Sequence, residues 1–337
     1  MRKFLAVSAL ATTLLSATAV FAEDTVLTIS SYGGAYQEAQ AKSFFQPFMD
    51  ANPGVKIAED SSTSNAKLKA MVETGNVTLD IMVTDESFGL DADAQWLEPI
   101  DYSIIDRSKF IEGAAGNYRV AADIEATVMA YNASHFDGAE PKGFKDFFDT
   151  DKFPGARSAW KYASSGILEA ALLADGVKPE ELYPLDVERA LKKLDTIKED
   201  IIWWETGSQS EQLLSSGEVS MALVWVSRGL SSADKGVKID WTNWTSQTGF
   251  WIVPKGAKNK ELAMKAINFF TEPVQQAEFT KYMPYGPSNK HAIDKVDGKY
   301  KGNLPTDHLD TRTLLNSEWW AENQARVDLR FQEWLLQ

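Results

Sequence analysis

Carboxylates at strand ends, tryptophans that close apolar runs, and one arginine in a tight turn are the residues in this chain equipped to grip a small charged molecule. Trp225 ends the apolar run that begins at Met221, and side chains at the carboxyl ends of parallel strands face a cleft. Trp251 alternates with Gly249 along its own strand, which puts both on one face. Aromatic walls of this kind suit an alkyl chain or an ammonium group, the latter through cation–π attraction. The competing reading for each tryptophan is a core residue. Arg228, three residues past Trp225 in a Ser-Arg-Gly turn, either lies on the surface or grips a carboxylate with its planar fork. A capping-box pattern, Ser208 to Glu211, opens a helix nearby in the sequence and offers free backbone N–H groups as a second anion-friendly element. For amines the candidates are Asp85, Glu86, Asp123 and Glu125, all at or near strand ends.

Catalytic constellations are thin. The three histidines, His135, His291 and His308, are scattered in loop-like contexts. No HExxH, no GxSxG and no pairing of His with carboxylates at metal spacing occurs. The segment Tyr32-Gly33-Gly34-Ala35 lacks the spacing of a phosphate-binding loop and reads as a strand-to-helix turn. The expectation is a binding protein with no catalytic residue, no metal and no cofactor. An enzyme working in the same cleft and a chemosensory receptor of the same fold are the alternatives.

The elements that must position these residues follow from periodicity. Val26 to Ser30 alternates as a strand, Tyr36 to Met49 carries Phe44, Phe45 and Phe48 on one helical face, and Val55 to Ile57 starts a second strand. Asn65 to Glu73 reads as a short helix, and Leu79 to Val83 as a buried strand ending at Thr84-Asp85-Glu86-Ser87. That order implies a parallel α/β sheet with right-handed crossovers. Ile124 to Tyr131 crosses to a second set of elements, which includes the helices Ile167 to Leu173 and Asp186 to Lys198 and the strand Met221 to Val226. From Thr248 to Asn289 the chain returns with a strand, Phe250 to Val253, a helix, and the Gly/Pro-bracketed Tyr285. The tail from Leu314 to Leu336 has Trp and Leu at helical spacing. The predicted lobes are 23–127 plus 249–300, and 128–248 plus 301–337, joined by crossing strands rather than by a tether.

The ends and composition agree with capture in free solution. Arg2 and Lys3, an apolar run from Phe4 to Leu15, and Val20-Phe21-Ala22 before Glu23 read as a secretory signal over 1–22, cleaved to leave a soluble secreted chain, which the resemblance below makes periplasmic. No cysteine is present, so no disulfide frames the fold. The formal charge is −14, and loss of Arg2 and Lys3 would make it −16. An acidic surface argues against nucleic acid and anionic lipid. The expectation is a monomer without membrane insertion.

The segments SYGGAY, LDIMV, IEATVMAYN, GEVSMALVW and FWIVPKGAKNKELAMKAINFF with PYGPSN resemble the periplasmic substrate-binding proteins of polyamine-type (spermidine/putrescine) ABC importers, from about Leu27 to Asn289. The resemblance implies two α/β lobes, each a mostly parallel sheet flanked by helices, closing on a ligand at the hinge. It implies a membrane permease and an ATPase as partners and no cofactor. It places Tyr32 as an aromatic clamp, Trp225 and Tyr285 in the pocket, and Asp85 and Ser87 in a loop of polar contacts. The departures bear on the ligand. Gly249 stands where the family carries an aspartate, Ala163 and Gly166 stand where it carries acids, and Arg228 is extra. The site expected is Tyr32, Asp85, Ser87, Trp225, Arg228, Trp251 and Tyr285, binding a small organic amine: a polyamine, or a zwitterion such as γ-aminobutyrate. A rearranged amine site using Asp85, Glu86 or Glu125 is the other arrangement.

Overall fold

The computed structural model describes residues 24–337, so the signal-segment expectation lies outside the described residues. Nine strands make one mixed sheet: β1 Thr25–Ser30, β2 Val55–Asp60, β3 Ile81–Thr84, β4 Val120–Asn132, β5 Arg157–Trp160, β6 Ile201–Trp204, β7 Met221–Trp225, β8 Val237–Ile252 and β9 Arg312–Leu314. Their order is β2-β1-β3-β8-β4-β7-β5-β6, with β9 added on β8. β1, β2 and β3 run parallel, as do β5, β6 and β7; the two sets are joined through the long antiparallel pair β4–β8. Helices cover the sheet, which gives the α/β architecture expected.

The long pair is what the sequence showed least. β8 spans 16 residues, of which only the last few read as a strand from their pattern. Its middle, Thr245 to Thr248, is polar, because these residues sit where the pair passes from one set of strands to the other. β4 also starts earlier than its apolar run suggests, at Val120.

The returning segment packs where expected. The end of β8 pairs with β3 through Phe250–Thr84 and Trp251–Val83. Phe270, from the helix Lys260–Phe270, meets Phe44 at 5.7 Å and Trp251 at 5.4 Å between ring centroids. Gly286 bridges Ile124 of β4.

Three local expectations change. The helix after β1 runs over Gly34–Gln40, Ala41–Phe45 and Gln46–Ala51, with the middle piece in π-helical form. Pro47 has no N–H to give the turn before it, which accounts for the slip in the ladder. The cap near 208 is Thr206, whose side chain accepts from the Gln209 N–H, and the helix is Gly207–Ser215; Ser208 lies within its first turn. The tail is a single helix, Ser317–Leu335, preceded by β9. Among the described residues, no helix is long and apolar enough to cross a membrane.

Candidate functional site

Four strands, two from each parallel set, end at one cavity of about 510 Å³, positioned over the crossing of β4 and β8. Tyr32 follows β1, Asp85, Glu86 and Ser87 follow β3, Ser164 follows β5, and Trp225 closes β7 with Arg228 one turn beyond. Carboxyl ends collect ligands because the loops there are free of the sheet ladder and converge at the point where strand order reverses. The turn after β1 is permitted by Gly33, whose φ of +72° is in the region that disfavours side chains.

The floor is built by β4. Asp123 and Glu125, two apart, share one face of the strand and both line the cavity. Their cross-strand partners on β8 are Gly249 and Gln247. The Tyr36 hydroxyl donates to Asp123 Oδ2 at 2.5 Å, and a Cβ at Gly249 would stand 3.5 Å from each Asp123 oxygen. The position that lacks an acid on β8 is therefore filled from β4.

Burial sets the charge state of these acids. It pushes the Asp123 carboxyl up to about 7, the Tyr36 hydrogen bond pulling it part of the way back. Glu125 rises to about 8, through burial first and the neighbouring Asp123 carboxylate second. Glu86 also rises to about 8 by burial, with the Arg119 guanidinium opposing. Arg119 ties the loop down by donating to the carbonyls of Glu86 (2.7 Å) and Phe88 (2.8 Å) while lying on the Phe250 ring. Glu125 Oε1 is buried and accepts no hydrogen bond within the protein.

The opposite wall is aromatic and carries donors. Trp225 meets Trp160 at 5.4 Å and Trp204 at 5.2 Å, both edge-to-face. The buried Trp160 Nε1 has no acceptor. Arg228 reaches Glu211 at 3.4 Å through Nη1, and its Nε has no partner. A side chain at Gly207 would stand 2.6 Å from that Nε, so glycine there makes room for the guanidinium. With one bond used out of five N–H donors, most of the fork is unspent.

Of the expected residues, Tyr32, Asp85, Ser87, Trp225, Arg228 and Tyr285 all line the cavity. Asp85 and Ser87 sit on its rim and satisfy one another, with Asp85 Oδ1 accepting from the Ser87 hydroxyl and N–H. Trp251 is a correction. It shares a strand face with Gly249, but one step of two residues carries it about 6.6 Å deeper, beneath Phe44 and Phe45, where it is fully buried. Tyr36 and Trp160 escaped sequence reading because each resembles an ordinary core aromatic. The sequence signal that singles out Asp123 and Glu125 among the amine candidates is a pair of acids spaced by two inside an otherwise apolar strand.

A family model described as bacterial extracellular solute-binding protein matches residues 43–306. The gamma-aminobutyric acid-binding protein of Pseudomonas aeruginosa is 35% identical over 332 residues, covering 95% of this chain and 94% of that protein. The spermidine/putrescine-binding periplasmic protein of Escherichia coli is 25% identical over 201 residues, 58% of this chain and 56% of its own length. Among solved structures, a GABA receptor superposes with a TM-score of 0.85 at 37% identity, covering 92% of this chain and 98% of the receptor. Residues 307–337, which supply Leu315, Ser317, Trp320 and Gln324 to the cavity wall, lie beyond the matched family span.

Proposed function

This chain belongs to the bacterial extracellular solute-binding proteins, the capture component of ABC importers, and on that premise we propose that its ligand is a small ω-amino acid of the γ-aminobutyrate type, held as a zwitterion. One observation carries the reading. The cavity has an unspent, buried acceptor on its floor, Glu125 Oε1 beside Asp123, and unspent donors on the wall that holds Arg228 and Trp160. An ammonium group pairs with the floor, a carboxylate with the Arg228 fork, and the methylenes between lie along Trp225 and Tyr285. A diamine would set its second cation beside Arg228, a like-charge contact that selects against it. The names of the two more similar relatives reported, both GABA-binding, support this choice over the polyamine named by the 25%-identical one.

Capture proceeds by closure of two lobes, 23–127 plus 249–300 and 128–248 plus 301–337, about the β4–β8 crossing. The closed form is the surface presented to the permease. The protein works as a periplasmic monomer after removal of 1–22, without nucleic acid, cofactor or turnover of its ligand.

Calorimetric titration with γ-aminobutyrate, putrescine, spermidine and glycine betaine tests the assignment, alongside melting shifts, which follow occupancy by mass action. The expected result is saturable binding of γ-aminobutyrate well ahead of the others. Binding confined to putrescine and spermidine would overturn it, and would assign Glu86, Asp123 and Glu125 to a polyamine.

A further inference from the structure

The helix Ser317–Leu335 reaches the cavity with its first two turns and is anchored at its far end. Ser317, Trp320 and Gln324 fall at i, i+3 and i+7, on one face, and line the cavity with Leu315 just before them. Val327, Phe331 and Trp334 are buried in the second apolar cluster. Trp320 is the joint between these two roles, buried in that cluster yet on the cavity wall.

What holds Trp320 is a carboxyl in an unexpected place. Its indole Nε1 donates to Glu169 Oε1 at 2.8 Å, and the Tyr183 hydroxyl donates to the same oxygen at 2.7 Å. Glu169 is fully buried in the first turn of Ile167–Ala174, a helix otherwise made of Ile, Leu and Ala. Its Oε2 has no partner, and among the described residues no cation bonds it. Burial holds the carboxyl above its ordinary range while the two donors oppose. A buried acid without a cation costs several kcal/mol unless its hydrogen bonds are worth keeping. Here they fasten the helix Ser317–Leu335 and the Tyr183 segment to one atom.

We infer that Glu169 is a positioning residue which, through Trp320, fixes the C-terminal helix as the wall that sets how long a ligand the cavity admits. The inference rests on the proposed ω-amino acid ligand. It assigns length selectivity to a wall outside the matched family span, held by Glu169 within it, while the charged floor and the Trp225 wall supply the grip at the two ends.

The test compares affinities for γ-aminobutyrate and for 5-aminovalerate, one methylene longer, by calorimetry. Glu169→Ala and Trp320→Ala should each change the ratio of the two affinities by at least about fivefold, within the range one methylene commands in a shaped pocket. Glu169→Gln keeps an oxygen acceptor for both donors and should hold the ratio within about twofold. Trp320→Phe keeps an aromatic ring, smaller than the indole, and removes the N–H, and serves if the alanine variants do not fold; a ratio shift in the same direction supports the inference. Unchanged ratios in folded Trp320→Ala and Trp320→Phe would overturn it. If the unmodified protein binds neither compound, the ligand reading fails on its own, and hydrogen exchange still decides the positioning role. Glu169→Ala or, should it not fold, Trp320→Phe should then raise exchange over 317–324 by about tenfold, with Glu169→Gln near the unmodified protein. Equal exchange in all of them would overturn the role.

Discussion

Asp123 lies directly across the β4–β8 pair from Gly249, and both of its carboxylate oxygens stand 3.5 Å from where a side chain at 249 would begin. Asp123 thus brings a carboxyl from β4 to the place opposite Gly249, and the space it occupies is the space glycine leaves.

Gly249→Asp puts this relationship to the test. Its backbone is not in the left-handed region, so the substitution carries no φ penalty, but the new Cβ would also stand 3.2 Å from the Tyr36 hydroxyl. A second carboxylate beside Asp123 raises both pKa values and displaces Tyr36 from its bond. Affinity for γ-aminobutyrate should fall by roughly tenfold or more, about 1.4 kcal/mol per decade. Calorimetry showing unchanged affinity would mean Asp123 does not meet the ligand.

Binding should depend on pH with a definite sign. An ammonium ligand favours ionised acids, whereas burial keeps Asp123 near 7 and Glu125 near 8 in the empty cleft. Binding therefore releases protons, and affinity falls as pH drops. For one proton at a pKa of about 7, the loss between pH 8 and pH 6 is about tenfold. The empty protein shows the opposite trend. Acids whose folded pKa is raised add stability below their unfolded values and withdraw it as pH rises toward 7 and 8, so its melting temperature should be higher at pH 5.5 than at pH 8. Titrations in buffers of different ionisation enthalpy count the protons, and zero release at pH 7 would refute the coupling.

Much of this architecture was legible in the sequence because the parallel strands, buried on both faces, read as apolar runs: Met221 to Trp225 and Ile81 to Val83 announce themselves. The cavity residues at their ends, Trp225 and Asp85 among them, followed from that rule. β8 did not, since its polar middle faces the crossing and hides the alternation. Trp251 lies outside the cavity for a related reason. Sharing a face with Gly249 fixes direction but not depth, and depth was decided by the helix carrying Phe44 and Phe45. Trp160 was hidden because its strand is four residues long and lacks a clear pattern.

Glu125→Gln should separate stability from function. Its buried Oε1 has no partner, and burial outweighs the Tyr285 hydroxyl and Arg228 guanidinium that favour its charge, so the empty protein bears a net cost of desolvation. The amide removes the charge while keeping the shape. At pH 8 the unliganded variant should melt higher than the unmodified protein, and its affinity for γ-aminobutyrate should drop by about tenfold or more. A variant that loses both stability and affinity would place Glu125 in a structural network instead.

Trp225 and Trp251 offer the closing contrast, since they are the same residue type at the ends of neighbouring parts of the sheet. Trp225 is half-buried on the cavity wall, where the proposed ligand lays its methylenes. Its replacement by alanine removes apolar burial worth roughly 1.5–3 kcal/mol, so binding should weaken more than about tenfold. Stability should change less, because a half-buried ring leaves little cavity behind. Trp251 is fully enclosed by Phe44, Phe45 and Phe270. Trp251→Ala should cost about 3–5 kcal/mol of stability through the void it opens. Measured below its melting temperature, the folded fraction should bind γ-aminobutyrate within a few-fold of the unmodified protein. Denaturant unfolding and calorimetry on the two variants read both quantities. Affinity lost in Trp251→Ala at full folding, with Trp225→Ala binding normally, would exchange the roles assigned to the two rings.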